Sequence, residues 1–222
     1  MLAEEMINPK IPVLSPDESV AEALDLMAQN EIRQLALVEN ETYWGLISED
    51  MLLNLSDSSR LLSSLPMPEK PVSARLFQHI YELIALTNHY QLEILPILDE
   101  ENLYAGTVVV SDMMTQFARL LGVQESGAVV VLGMNNRDYS LTDISRLVES
   151  NNTKILSSYF AGAQYGMLDD AALTLKLNRS DVSAVVATFE RFGYNVTGVF
   201  GSQSIENPDR QRLDMLLRYL ET

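Results

Sequence analysis

The feature that most constrains this chain is an internal repeat at a spacing of about 60 residues. Val20-Ala-Glu-Ala-Leu-Asp-Leu-Met27 lies against Ile80-Tyr-Glu-Leu-Ile-Ala-Leu-Thr87, and Ile32–Val38 lies against Leu92–Leu98. Few residues are identical, but the apolar pattern is shared. Val20, Ala23 and Leu24 in one copy, and Ile80, Leu83 and Ile84 in the other, fall at i, i+3 and i+4, one face of an amphipathic helix. Ser19-Val-Ala-Glu22 reads as a capping box that starts the first of these helices. A unit of about 60 residues buries too little surface to stand alone, so the two copies are expected to pack as one body.

After each helix comes a short apolar run, a polar turn and a second run. These are Leu35–Val38, Glu39–Thr42 and Tyr43–Ser48, then Ile94–Leu98, Asp99–Asn102 and Leu103–Val110. Runs of this length between turns predict hairpins. A closing helix is predicted through Met51, Leu52 and Leu55 in the first copy, and through Met113, Met114, Phe117, Leu120 and Leu121 in the second. Each unit is thus read as β-α-β-β-α, with boundaries at 1–60 and 61–122. The methionines at helical spacing read as core filler.

This unit resembles a CBS domain. The resemblance is carried in the first copy by Leu14-Ser-Pro-Asp-Glu-Ser-Val20 and Gly45-Leu-Ile-Ser48, and in the second by Leu95-Pro-Ile-Leu-Asp99 and Gly106-Thr-Val-Val109. It implies a tandem pair with adenosine-containing ligands in clefts between the units. It also implies a Ser or Thr three residues after the glycine and an Asp six residues after it, on phosphate and ribose. Counted from Gly45, the hydroxyl is Ser48, but Met51 holds the acidic place and Asp50 lies one residue early; counted from Gly106, the acid is Asp112, but Val109 holds the hydroxyl place. One residue of slip on a helix turns a side chain by about 100°. Ser48 and Asp112 equally suit plain helix caps. Among the cations, Arg33 and Arg75 lie near the starts of strands beside the expected clefts, where they are candidate phosphate partners or ordinary surface charges.

From residue 127 to 201 the pattern changes. Ala128–Met134 is a nearly continuous apolar run, as in a buried strand. Ser140 precedes a helical face of Leu141, Ile144, Leu147 and Val148; Lys154–Ala161 and Ala171–Asn178 read as strands; a second helix runs from Asp181 to Gly193, and Asn195–Phe200 is a last strand. The order βαββαβ is ferredoxin-like. This half resembles an ACT domain, with Arg137 and Asp138 as candidate ligand contacts in the first strand-to-helix loop. A CBS pair followed by an ACT-like domain resembles the layout of the acetoin utilization protein B family. The fold class is α+β. Residues 202–222 form a tail in which Leu213, Leu216, Leu217 and Leu220 make an apolar stripe, expected to dock on its own domain or on a second subunit.

Charge and missing chemistry bound the function. The net charge is −16, and residues 1–122 hold 19 acidic and 6 basic residues. That excludes nucleic acid as a partner on electrostatic grounds. It also favours a ligand low in phosphate, or one carried with Mg²⁺. Neither a signal peptide nor a membrane span is read, so a cytoplasmic protein is expected. Cys is absent. His79 and His89 lack the i, i+4 geometry of a helical zinc pair, and no Gly-rich phosphate loop or Gly-x-Ser-x-Gly elbow occurs. The expectation is a non-catalytic homodimer that senses AMP, ADP, ATP or S-adenosylmethionine and acts on a protein partner. The alternative is a constitutive dimeric adaptor with degenerate sites.

Overall fold

In the computed structural model, which describes residues 1–134, 139–162 and 171–201, helix α1 (Val20–Asn30) begins at its predicted cap. Ser19 Oγ accepts from Glu22 N at 3.3 Å, and Glu22 Oε2 accepts from Ser19 N at 2.8 Å. These bonds to Ser19 hold the Glu22 carboxyl below its ordinary pKa. Its counterpart α3 (Ile80–Tyr90) uses His79 in the same place, with Glu82 Oε2 accepting from His79 N at 3.0 Å. Both helices end on a left-handed residue, Glu31 and Gln91, so cap, length and stop all recur at the same spacing.

The hairpins follow. Strands β1 (Gln34–Glu39) and β2 (Thr42–Ser48) are antiparallel and turn through Asn40 and Glu41, both at positive φ, as a two-residue turn requires. In the second copy, β3 (Ala74–Arg75) runs parallel to β4 (Ile94–Leu98), which pairs antiparallel with β5 (Tyr104–Val109). The turn there is longer, so the spacing grows by one residue. Gly45 still sits opposite Leu37 as Gly106 sits opposite Ile97. The opening strand of the first copy is reduced to one parallel bridge, Leu14 to Leu37. Helix α2 (Glu49–Leu53) is short, whereas α4 (Val110–Leu120) runs three turns.

The copies exchange their lead-in segments. Ala3 and Met6 are buried in the core of the second copy, with Ile80, Leu83, Leu95, Ile97 and Val108. Leu62 and Leu65 are buried in the core of the first, with Val20, Met27, Leu35, Leu37 and Ile47. Burying Met6, Leu62 and Leu65 contributes on the order of 1.5–3 kcal/mol each relative to exposure. Burial therefore ties the copies into one body, Met1–Phe117. Met27 and Met113 are core residues as expected, while Met114 is exposed.

Between the two hairpins, Ala36, Tyr43 and Leu98 form a small core that Tyr104 packs against. The Tyr43 hydroxyl donates to Val72 O at 3.0 Å, and burial raises its pKa far above the ordinary phenol value. A folded pKa above the unfolded one means that this stability is complete below about pH 10 and is lost as pH rises beyond it. Trp44, the only tryptophan, lies in this unit and reports its unfolding. Between pH 9 and pH 11, Tyr43→Phe is expected to lose less stability than the parent in urea curves followed by Trp44; equal losses would refute the assignment.

The second unit begins at Ala118. Strand β6 (Ala128–Met134) leads to α5 (Leu141–Glu149), capped by Ser140. Then come β7 (Ile155–Ala161), β8 (Ala171–Leu177), α6 (Ser183–Arg191) and β9 (Asn195–Gly201). The sheet order β7-β8-β6-β9, antiparallel throughout, is the ferredoxin-like order expected for βαββαβ. Its core joins Val130, Leu132, Leu173 and Leu175 to Ile144, Val148, Val185 and Phe189 of the helices, all on one side of the sheet.

Candidate functional site

The repeat creates two equivalent junctions where a hairpin strand feeds a helix. In the first, β2 ends at Ser48, whose Oγ accepts from Met51 N at 3.2 Å and so caps α2. Asp50 is exposed in the first turn, and its backbone carbonyl accepts from Asn54 Nδ2 at 2.8 Å. Met51 occupies the turn position that Asp112 holds in the second junction. The Asp112 side chain is exposed, and its Oδ2 accepts from Asn8 Nδ2 at 2.8 Å.

Each junction is roofed by the lead-in segment of the other copy. Ile7 bridges Val108 and lies over Gly106, while Met67 lies over Gly45. Asn8 is held by its N–H donating to Thr107 O at 2.8 Å, and its Oδ1 accepts from Lys10 N at 3.0 Å. Ile7 and Met67 are themselves 60 residues apart, so the repeat carried a signal for this roofing. Asn8 has no such signal, because its partner Asp112 lies 104 residues along the chain.

The two arginines have partners. Arg33 and Glu93 are repeat equivalents and meet, with Arg33 Nε 3.5 Å from Glu93 Oε1. Glu93 N donates to Gln34 Oε1 at 2.9 Å beside them. Two identical repeats would have placed like charges here. Both side chains are largely exposed, so the pair contributes at most about 1 kcal/mol. Arg75 donates to Asp99 O at 2.6 Å and to Asn102 Oδ1, and so fastens the β4–β5 turn. Asp99 works in the same turn, its Oδ1 accepting from Glu101 N and Leu103 N.

Ser48 and Arg33 are thus brought to the first junction and Asp112 to the second, while Arg75 belongs to a turn. Arg137, Asp138, Leu213, Leu216, Leu217 and Leu220 lie outside the described residues. Among the described residues, no group of three or more His, Asp or Glu is arranged to hold a metal ion, and no helix is long and apolar enough to cross a membrane. At the two helix starts Glu49 N donates to Arg33 O and Val110 N to Glu93 O, each at a junction strand of the same copy, and the second junction adds the Asp112 carboxylate, a group suited to a diol.

Residues 3–58, the first copy with its lead-in, match the family described as CBS domain. The inosine-5'-monophosphate dehydrogenase of Bacillus subtilis is 25% identical over 161 residues, 70% of this chain and 33% of that enzyme. That of Methanocaldococcus jannaschii is 27% identical over 113 residues, 50% of this chain and 23% of the enzyme. The chain spans a third or less of these curated relatives. Among solved structures, a CBS domain pair/ACT domain protein from Thermotoga maritima has a TM-score of 0.49 at 20% identity, covering 55% of this chain and 99% of its own. The CBS-pair protein CBSX2 from Arabidopsis thaliana has a TM-score of 0.48 at 18% identity, covering 53% of this chain and 94% of its own.

Proposed function

We propose that the first unit is a CBS pair that senses an adenosine-containing small molecule, and that the protein is a non-catalytic regulator. The observation that carries this reading is the CBS match over residues 3–58 joined to a second copy with the same caps, hairpin and glycine 60 to 61 residues on. In this reading the start of α2 with Ser48 receives phosphate, and Asp112 accepts from ribose hydroxyls after releasing Asn8. Arg33, whose backbone carbonyl accepts from Glu49 N at the start of α2, is the cation assigned to the first junction. The acidic surroundings favour AMP, S-adenosylmethionine or a nucleotide with Mg²⁺ over a bare polyphosphate. The ligand shifts the protein between arrangements only by as much as its affinity differs between them. The second unit is read as ACT-type, and the whole as a homodimer of the acetoin utilization protein B layout acting on a protein partner.

A thermal-shift panel of AMP, ADP, ATP and S-adenosylmethionine, with and without Mg²⁺, tests the reading. A Kd one hundredth of the ligand concentration stabilises by about 2.7 kcal/mol. At about 1 mM ligand even a modest site gives a measurable rise in Tm, which Asp112→Asn or Ser48→Ala should reduce. No rise with any of them would overturn the sensor reading.

A second reading is a constitutive dimeric adaptor with degenerate ligand sites. It is favoured by the hydrogen bonds already made: Ser48 caps α2, Asp112 takes Asn8 and Arg33 takes Glu93. It expects a dimer by light scattering that no member of the panel changes; a monomer at micromolar concentration would overturn it.

A further inference from the structure

The two junctions of the first unit differ at one matched pair of positions. In the second junction Asn8 Nδ2 donates to Asp112 Oδ2 at 2.8 Å. Counted along the repeat, Asn8 corresponds to Pro68 and Asp112 to Met51, so both members of this bond are replaced in the first junction. Pro68 still stands in the roof there, its Cδ 3.7 Å from where a Cβ on Gly45 would lie. A proline side chain has no N–H and a thioether no carboxylate, so the bond has no counterpart. Asn8 is also held in one sense. Lys10 N donates to its Oδ1 at 3.0 Å, which leaves Nδ2 as the atom facing the carboxylate. Its backbone N–H donates to Thr107 O at 2.8 Å, on the strand that carries Gly106, and its carbonyl accepts from Ile11 N at 3.4 Å. Asn8 thus ties the lead-in stretch to both the strand and the helix of the second junction.

We propose that Asn8 is a latch on the second junction: an adenosyl ligand must take the Asp112 carboxylate from it, and in doing so loosens the lead-in segment around Asn8. This rests on the sensor reading above and gives that site its regulation. Ribose hydroxyls that bond Asp112 Oδ2 displace the Asn8 amide, so the ligand binds more weakly by the free energy of the bond it breaks. A bond this exposed corresponds to about a three- to tenfold change in affinity. Linkage makes the effect reciprocal, because the lead-in is loosened by the same factor by which it weakens the ligand. The first junction carries no such bond, so occupancy there leaves residues 7–11 in place. The repeat therefore holds one latched junction and one unlatched one.

Titration calorimetry of AMP, S-adenosylmethionine and ATP with Mg²⁺ into the full chain tests the latch. Asp112→Ala marks the second junction as the binding component that it removes. Asn8→Ala takes away the competing donor and leaves Asp112, and is expected to tighten that component about three- to tenfold. A second measurement needs no variant: amide hydrogen exchange over residues 7–11 of the unaltered chain, with and without the same three compounds at saturation. Exchange is expected to be about three- to tenfold faster with ligand. Binding to the unaltered chain that Asn8→Ala leaves unchanged or weakens overturns the latch and spares the sensor reading, as does exchange that ligand leaves unchanged or slows. Absence of binding to both the unaltered chain and Asn8→Ala overturns the sensor reading, and the latch with it.

Discussion

Gly127→Ala is expected to destabilise the second unit by about 3–5 kcal/mol, an exceptional cost for adding one methyl group. Gly127 immediately precedes β6 with φ of +147°, a conformation that L side chains rarely adopt, and a Cβ there would lie 1.8 Å from Leu177 O. The obstacle is a backbone carbonyl in strand β8, not a flexible side chain. Relief would require parting β6 from β8, where Val129 pairs with Lys176 and where the sheet closes over Phe189. Urea unfolding followed by far-UV circular dichroism should show the loss, while the Trp44 signal from the first unit stays where it was. Unchanged stability by dichroism would refute the clash; an equal shift of both signals would mean that the two units unfold together.

Gly106→Ala should cost about 2–3 kcal/mol, for a different reason. Its Cβ would meet Ile7 Cγ2 at 2.5 Å, so the damage falls on the lead-in segment roofing the second junction. Ile7 yields more easily than a backbone carbonyl, and moving it pulls Asn8 from Thr107 and Asp112. Combining Gly106→Ala with Ile7→Ala should therefore cost less than the sum of the two single changes, with a coupling of about 1–2 kcal/mol in a double-mutant cycle. At the equivalent Gly45 the nearest atom is Met67 Sδ, at 3.0 Å on a flexible chain end, so Gly45→Ala should be the milder change. A Gly45→Ala variant as unstable as Gly106→Ala, or strict additivity in the cycle, would remove the roofing argument. If the first unit senses an adenosyl ligand, Gly106→Ala also frees the Asp112 carboxylate, and the ligand response of the second junction should change while that of Ser48 does not.

Much of the fold was legible because its determinants are local. Ser19 with Glu22, the apolar i, i+3, i+4 pattern and the short apolar runs between polar turns act within a few residues, and the elements formed where these cues lie. The opening strand is a single bridge, Leu14 to Leu37, in the first copy but pairs two residues, Ala74 and Arg75, at the same separation in the second, a difference set by distant packing and not readable from local pattern. The candidate site was half legible. Ser48 caps its helix as the residue type allows, and Asp112 stands in the first turn of α4. That Asp112 is taken by Asn8, and that Arg75 serves a turn, was not readable, since each partner comes from a distant stretch of chain.

By itself the sequence determined the repeat, the caps at Ser19 and Ser140, the ferredoxin-like order of the second unit and the acidic character of the first, because periodicity, propensity and charge are properties of neighbouring residues. Tertiary structure alone decided that the copies exchange their lead-in segments, that Arg33 faces its own repeat equivalent Glu93, and that Gly106 and Gly127 have no room for a methyl group. Those facts come from which distant surfaces bury one another, a choice made by packing over the whole unit.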